Sequence, residues 1–304
     1  MSPLPAPVVF PPALRPGDTI AVVAPSSAFE AVLGWRGLGF LAERYRLRFD
    51  RRALFARAGY LAGSDAQRRE ALSAALRDPD AVAILAARGG YGANRFVHEL
   101  DFAGLRGRPR WIIGFSDVTA LHVEAARAGV ASIHGCHLTS LGRADRRARE
   151  GLLSVLEAPQ RRRTIEGLDT LAPGRAHGPL FGGNLTILHA CAAAGRLAVP
   201  EGAILFIEDV TERPYRIDRM LTTLAVGGHF DRVAGVLIGD FTQCDPGPDR
   251  ITVKDVLRER LADLGVPIAT GAPCGHGTIN DPLILGAPTL LEASDTSASA
   301  VFFP

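Results

Sequence analysis

The sequence predicts a two-domain α/β protein, with a doubly wound parallel sheet in the first half and a mixed α+β domain in the second. Three observations predict it. Short, continuously apolar runs, TIAVVA (19–24), AVAILAA (81–87) and WIIG (111–114), alternate with amphipathic stretches, the pattern of parallel strands covered on both faces by helices. Between about Glu157 and Gly178 the chain turns to APQRRRTIEGLDTLAPGRAHG, rich in Pro, Gly and Arg, which marks a junction and divides the chain into residues 1–165 and 166–304. At 304 residues and 47% hydrophobic content, there is enough chain and enough apolar volume for two cores.

Taken in order, MSPLPAPVVFPPALRPGD (1–18) reads as a short extended arm, since its prolines interrupt any regular element. The run 19–24 is a buried strand, and Phe29 to Arg44 a helix. SDAQRREALSAALRD (64–78) opens on a Ser-Asp cap and ends before Pro79, with Leu72, Ala75 and Leu76 on one helical face. The strand 81–87 leads into RGGYGANR and a short helix. WIIG precedes a helix whose Val118, Leu121, His122 and Ala125 share a face at i, i+3, i+4 and i+7. In the second half NLTILHACAAAG (184–195) and PYRIDRMLTTLAVGG (214–228) read as helices, and AILFIE (203–208) and VAGVLIG (233–239) as strands. The last thirty or so residues read as short strands joined by turns.

Charge narrows the function classes. With 34 basic and 32 acidic residues the net charge is +2, so no global field recruits nucleic acid or an anionic membrane, and a small-molecule partner is expected. The arginine clusters at 143–150 and 161–163 read as solvated surface. Cys136, Cys191, Cys244 and Cys274 show no CxxC spacing and suit a reducing compartment. No segment reaches the roughly 18 to 20 apolar residues of a membrane span. The first residues lack the basic and apolar regions of a signal peptide, so a cytoplasmic location is expected.

The stretch WIIGFSDVTALH (111–122) poses the chemical question. Ser116 and Asp117 stand where helix caps stand, with a side-chain oxygen taking up a free backbone N–H. They also stand where a strand-to-helix elbow would expose a nucleophilic oxygen. A serine nucleophile needs a base and a group that orients the base. Among the eight histidines, His122 lies on an apolar stripe, and His98, His189 and His229 sit in or beside helical stretches, which suits packing. His134 and His137, in IHGCH, give only a weak metal signal. His276 lies between Gly275 and Gly277, where backbone freedom lets an imidazole project into a cleft, although a turn residue has the same surroundings. Glu208 and Asp209 end an apolar strand at a sheet edge, either as an orienting carboxylate or as acceptors for the next turn or for Arg213 and Arg216. The loop ARGGYGAN (87–94) lacks the spacing and the lysine of a phosphate loop. Its glycine N–H groups could instead contribute to an oxyanion hole on the sheet edge shared with Ser116.

RGGYGANR, GFSDVTALH, GPLFGGNLTIL, IEDVTERPYRIDRML and GHG follow one another in the order and approximate spacing of the LD-carboxypeptidase family, which the chain resembles from about Thr19 onward. The resemblance implies a serine peptidase with an N-terminal flavodoxin-like domain similar to class I glutamine amidotransferases and a C-terminal domain carrying acid and base. It implies Ser116 as nucleophile, Glu208 as the triad acid and His276 as the base. In those roles, the N–H groups of Asp117 and of Gly89 or Gly90 would meet the oxyanion. It further implies a murein tetrapeptide substrate losing its terminal D-alanine, no metal or other cofactor, and a homodimer. An exopeptidase must bind a free carboxylate, for which Arg88 is the first candidate and Arg213 and Arg216 are others. Two alternatives stand beside this reading. Some relatives hydrolyse aminoacyl-nucleotide antibiotics and confer self-immunity, yet Trp35 and Trp111 both lie in the first half, and the second offers only Tyr215 and a few phenylalanines for stacking a base. In the other, the chain is a non-catalytic small-molecule binding protein and Ser116 is a cap.

Overall fold

The structure, a computed structural model, describes residues 7–303. Its strands are β1 Thr19–Val23, β2 Arg46–Arg48, β3 Ala81–Ala86, β4 Trp111–Gly114, β5 Ser132–His134, β6 Arg163–Ala172, β7 Gly174–Asn184, β8 Ala203–Val210, β9 Val233–Thr242, β10 Ile268–Thr270, β11 Leu283–Leu285, β12 Pro288–Ala293 and β13 Ala298–Phe302. The chain forms two compact units. One comprises the residues up to Ala158 together with Ile284–Gly286, and the other Pro159–Leu283 and the residues from Ala287 onward.

In the first unit a six-stranded sheet runs β2-β1-β3-β4-β5-β11, and β1 to β5 are mutually parallel. The apolar runs explain the arrangement: β1, β4 and β5 are buried along their whole length, as strands covered on both faces must be. The edge strand β2 reads Arg-Leu-Arg, and its arginines face solvent, where charge discourages further pairing. The helix Asp65–Arg77 starts on a capping box in which Ser64 and Gln67 exchange side-chain and backbone hydrogen bonds. The arm is partly ordered by the sheet it follows: Val9 bridges Val130, and the buried Trp111 indole donates to the Pro12 carbonyl at 2.9 Å. Residues 1–6 of the expected arm lie outside the described residues.

The second unit is a closed barrel of mixed direction, in the order β10-β6-β13-β12-β7-β8-β9. Strands β7, β8, β9 and β10 are parallel to their neighbours in that run, while β6, β12 and β13 pair antiparallel. The expected helices and strands at 184–195, 203–208, 214–228 and 233–239 are present. The stretch expected to be an irregular junction is not: Arg163–Ala172 and the following residues form β6 and β7, and the position expected to divide the domains, 165/166, falls inside β6. The chain divides at Ala158 and Pro159 instead. Much of β6 is exposed, and its partners β10 and β13 lie far downstream, so neither apolar periodicity nor a local turn announced it.

Candidate active site

In the first unit, Ser116 follows the last residue of β4 by two positions and opens a single 3-10 turn, Ser116–Val118, that runs into the helix Thr119–Arg127. Its φ is +66°, a left-handed conformation that costs a side-chain-bearing residue roughly 1–3 kcal/mol and is held only where the surroundings impose it. The cap position of this turn falls on Phe115, whose side chain has no hydrogen-bonding oxygen, and Ser116 is already the first residue inside the turn, so the cap reading does not account for it. Such an elbow turns the hydroxyl away from the backbone hydrogen bonds around it.

The glycines of RGGYG lie against this elbow. A Cβ at Gly89 would stand 2.6 Å from Ser116 Cβ and 3.0 Å from Ser116 Oγ, so only a bare Cα permits the approach. The residues around Gly89 and Gly90 are tied down: Ser27 N–H donates to the Gly89 carbonyl at 3.2 Å, and Tyr91 N–H donates to Ser27 Oγ at 3.0 Å. Among the described residues the N–H groups of Gly89 and Gly90 have no acceptor, and the Asp117 N–H lies in the first turn of its helix, where no carbonyl precedes it. Of these, Gly89 touches Ser116 and Asp117 follows it in the chain, while Gly90 packs against Ser27, all within one unit.

The Asp117 side chain is fully buried and accepts from Ala93 N–H at 2.8 Å. Burial pushes its carboxyl upward, opposed by Ser26, by Ala93 and by the Arg68 guanidinium. Behind the elbow, His122 is buried between Gly114 O and Ser132 Oγ, each 2.9 Å away. A carbonyl only accepts, so Nε2 carries the proton toward Gly114 and Nδ1 accepts from Ser132. Burial holds this imidazole neutral, down at about 4.

In the second unit, Glu208 lies near the carboxyl end of β8 and is fully buried. Its Oε2 is 2.6 Å from His276 Nδ1, across 68 residues of chain. With Nδ1 engaged by a carboxylate, Nε2 is left to take or give a proton, as a general base requires. Burial is the largest influence on Glu208 and raises its carboxyl, while the hydrogen bond from His276 acts in the opposite direction. Gly275 allows the approach: its φ is +126°, and a Cβ there would stand 2.7 Å from Glu208 Oε2. Asp209, the other member of the acidic pair, is used structurally. It accepts from Asn184 Nδ2 at 3.0 Å and from Thr186 N–H and Oγ1, both at 2.9 Å, fastening the start of the helix Leu185–Ala193.

Other candidates resolve differently. Arg213 donates to the carbonyls of Asp245 and Pro246, and Arg216 pairs with Glu212 and Tyr215, so neither is held by Glu208 or Asp209. Arg88 is exposed and donates through Nη1 to the Ala28 carbonyl at 2.6 Å. His137 caps the helix Leu138–Arg143, with Ser140 N–H donating to its Nδ1 at 3.2 Å, and Phe115 stacks on its ring at 4.7 Å. Among the described residues, no group of three or more His, Cys, Asp or Glu side chains could hold a metal ion. Sequence reasoning passed over Asp240, near the end of β9. Its N–H donates to the Cys274 carbonyl at 3.0 Å and its Oδ2 accepts from Gly277 N–H at 3.2 Å, bracketing His276 from both sides. A lone strand-end aspartate carries no sequence signal for that role.

Sequence profiles of the LD-carboxypeptidase N-terminal and C-terminal domains match residues 20–135 and 177–291. A murein tetrapeptide carboxypeptidase of Pseudomonas aeruginosa is 35% identical over 295 residues, covering 90% of this chain and 93% of that protein. The crystal structure of a muramoyltetrapeptide carboxypeptidase from Oxalobacter formigenes matches with a TM-score of 0.83 at 26% identity, covering 94% of this chain and 99% of that one. An MccF-like protein from Bacillus anthracis str. Ames matches with a TM-score of 0.84 at 24% identity, over 97% of this chain and 99% of the other, a likeness of fold.

Proposed function

The chain belongs to the LD-carboxypeptidase family, and from that premise we propose that it is a serine carboxypeptidase that removes the terminal D-alanine from cytoplasmic murein tetrapeptides during peptidoglycan recycling. The observation that carries the reading is the buried Glu208 carboxylate, 2.6 Å from the His276 imidazole. The strained Ser116 and the surrounding N–H donors agree with it, as does the strand order 2-1-3-4-5, which supports a flavodoxin-like, doubly wound first domain.

In the proposed reaction, His276 Nε2 takes the Ser116 proton as Oγ adds to the carbonyl carbon of the scissile L,D bond. Glu208 holds the imidazole in the required tautomer and stabilises its cation. The N–H groups of Asp117 and of Gly89 or Gly90 receive the charge that develops on the carbonyl oxygen. The imidazolium returns its proton to the departing D-alanine nitrogen, leaving an ester on Ser116, and water activated by the same imidazole then hydrolyses that ester. We assign the substrate's free carboxylate to Arg88, where Nε and Nη2 remain for a second acceptor beside the bond to Ala28.

The test is release of D-alanine from a purified murein tetrapeptide by the wild type and by Ser116→Ala, with EDTA present throughout. Release by the wild type alone is expected. Equal release by both proteins would exclude Ser116 as the nucleophile.

A further inference from the structure

The Asp117 carboxylate and the Arg68 guanidinium lie in the first unit, and the reaction above assigns neither a role. Arg68 is 2% exposed, from the first turn of the helix Asp65–Arg77. Its Nη1 donates to the Pro25 carbonyl at 2.5 Å and to the Gly92 carbonyl at 2.8 Å, so one nitrogen joins the loop after β1 to the loop after β3. Its Nη2 is paired with Asp65, and its guanidinium lies 5.0 Å over the Phe96 ring. The guanidinium packs closely enough that a Cβ at Gly92 would stand 2.6 Å from Nη1. Asp117 reaches the same loop from the other side, accepting from Ala93 N–H directly beyond Gly92.

The loop carrying Gly89 and Gly90 is thus held at its far end by two buried polar side chains, one on the elbow itself. A buried arginine and a buried aspartate cost desolvation energy, and a fold that needed only packing would be served as well by apolar residues. What these two provide is direction: hydrogen bonds to Gly92 and Ala93 fix where the preceding peptide planes point.

The geometry points to Asp117 and Arg68 as positioning residues that lock the Gly89–Gly92 loop onto the Ser116 elbow, so that the oxyanion donors from the loop and from the elbow form one preset unit. This rests on Ser116 being the nucleophile. It adds a role for the Asp117 side chain distinct from that of its backbone N–H.

The experiment uses the full chain with Asp117→Ala, Asp117→Asn, Arg68→Met and Ser116→Ala. It follows kcat and KM for D-alanine release, and the rate of covalent labelling by a small fluorophosphonate, with the labelled peptide identified by mass spectrometry. Thermal unfolding of each variant reports whether it is folded. Labelling uses the same oxyanion donors but does not depend on which peptide is the substrate.

The expected result is Ser116 labelled in the wild type, with labelling and kcat both about 10²-fold lower in Asp117→Ala, the loss typical of one misplaced oxyanion donor, and KM within about threefold. Asp117→Asn, whose amide oxygen still accepts from Ala93, should recover at least about tenfold of that loss, since it keeps the acceptor. Folded Asp117→Ala that labels and turns over like the wild type would overturn the lock while leaving the nucleophile in place, as would a rise in KM with kcat unchanged. If Asp117→Ala does not fold, Arg68→Met decides by the same criteria. Absence of labelling at Ser116 in the wild type would overturn the nucleophile and the lock together.

Discussion

His122 makes the first unit sensitive to acid by a calculable amount. The imidazole is neutral between Gly114 O and Ser132 Oγ, and its pKa falls from the ordinary 6.5 to about 4. The unfolded chain binds a proton through that window while the folded chain does not. Stability attributable to His122 is therefore fully present above about pH 6.5 and is lost as pH falls toward about 4. At 1.36 kcal/mol per unit the full difference is roughly 3 kcal/mol, and between about pH 7.5 and pH 5 it is about 2 kcal/mol. Asp117, raised by burial, works in the opposite direction, so the comparison must be with a variant. His122→Gln serves, because its amide N–H still reaches toward Gly114 O and it carries no titrating group. Urea unfolding followed by tryptophan emission is selective, since the two tryptophans, Trp35 and Trp111, both lie in the first unit. Wild type should lose about 2 kcal/mol more than His122→Gln between those two pH values. An equal loss in both proteins would refute a buried neutral imidazole at this position.

Three further outcomes follow from the geometry. Glu208→Gln presents an amide that can donate to His276 Nδ1 and so favours the wrong tautomer; kcat should fall by about 10²–10⁴-fold with KM nearly unchanged, measured by D-alanine release. Gly275→Ala places a methyl 2.7 Å from Glu208 Oε2 at a φ of +126°, and activity should fall at least about tenfold because a displacement of about 1 Å is enough to do so. Gly89→Ala drives a methyl against Ser116, and fluorophosphonate labelling should slow by about 10²-fold while the thermal midpoint moves only a few degrees.

The sequence announced whatever rests on local physics. The capping box at Ser64 and Gln67 is a helix start that needs no tertiary information, and the apolar runs of β1, β3 and β4 could hardly be anything but covered strands. The long strands β6 and β7 were missed because their pairing, not their composition, makes them strands. The site divided along the same line. Ser116 was visible as an elbow or a cap, and its positive φ favours the first. Glu208 and Asp209 were indistinguishable as neighbours in text; they separate in space because successive residues of a strand point to opposite faces, one meeting His276 and the other Thr186. The tie from Arg68 to Gly92 and the Asp240 bracket around His276 join residues far apart in the chain and left no trace in any motif.

The first sheet takes its last strand, β11, from residues that follow almost the whole of the second unit. A ribosome making this chain delivers β1 to β5 early and β11 only near the end. During synthesis, β5 therefore has an open edge until residue 285 has emerged, and an open edge invites pairing with another nascent chain. Residues 1–158 expressed alone would keep that edge permanently. Separating the two units by a single cut thus removes a piece of the first, and a fragment study of the Ser116 elbow needs β11 supplied by a linker or as a peptide.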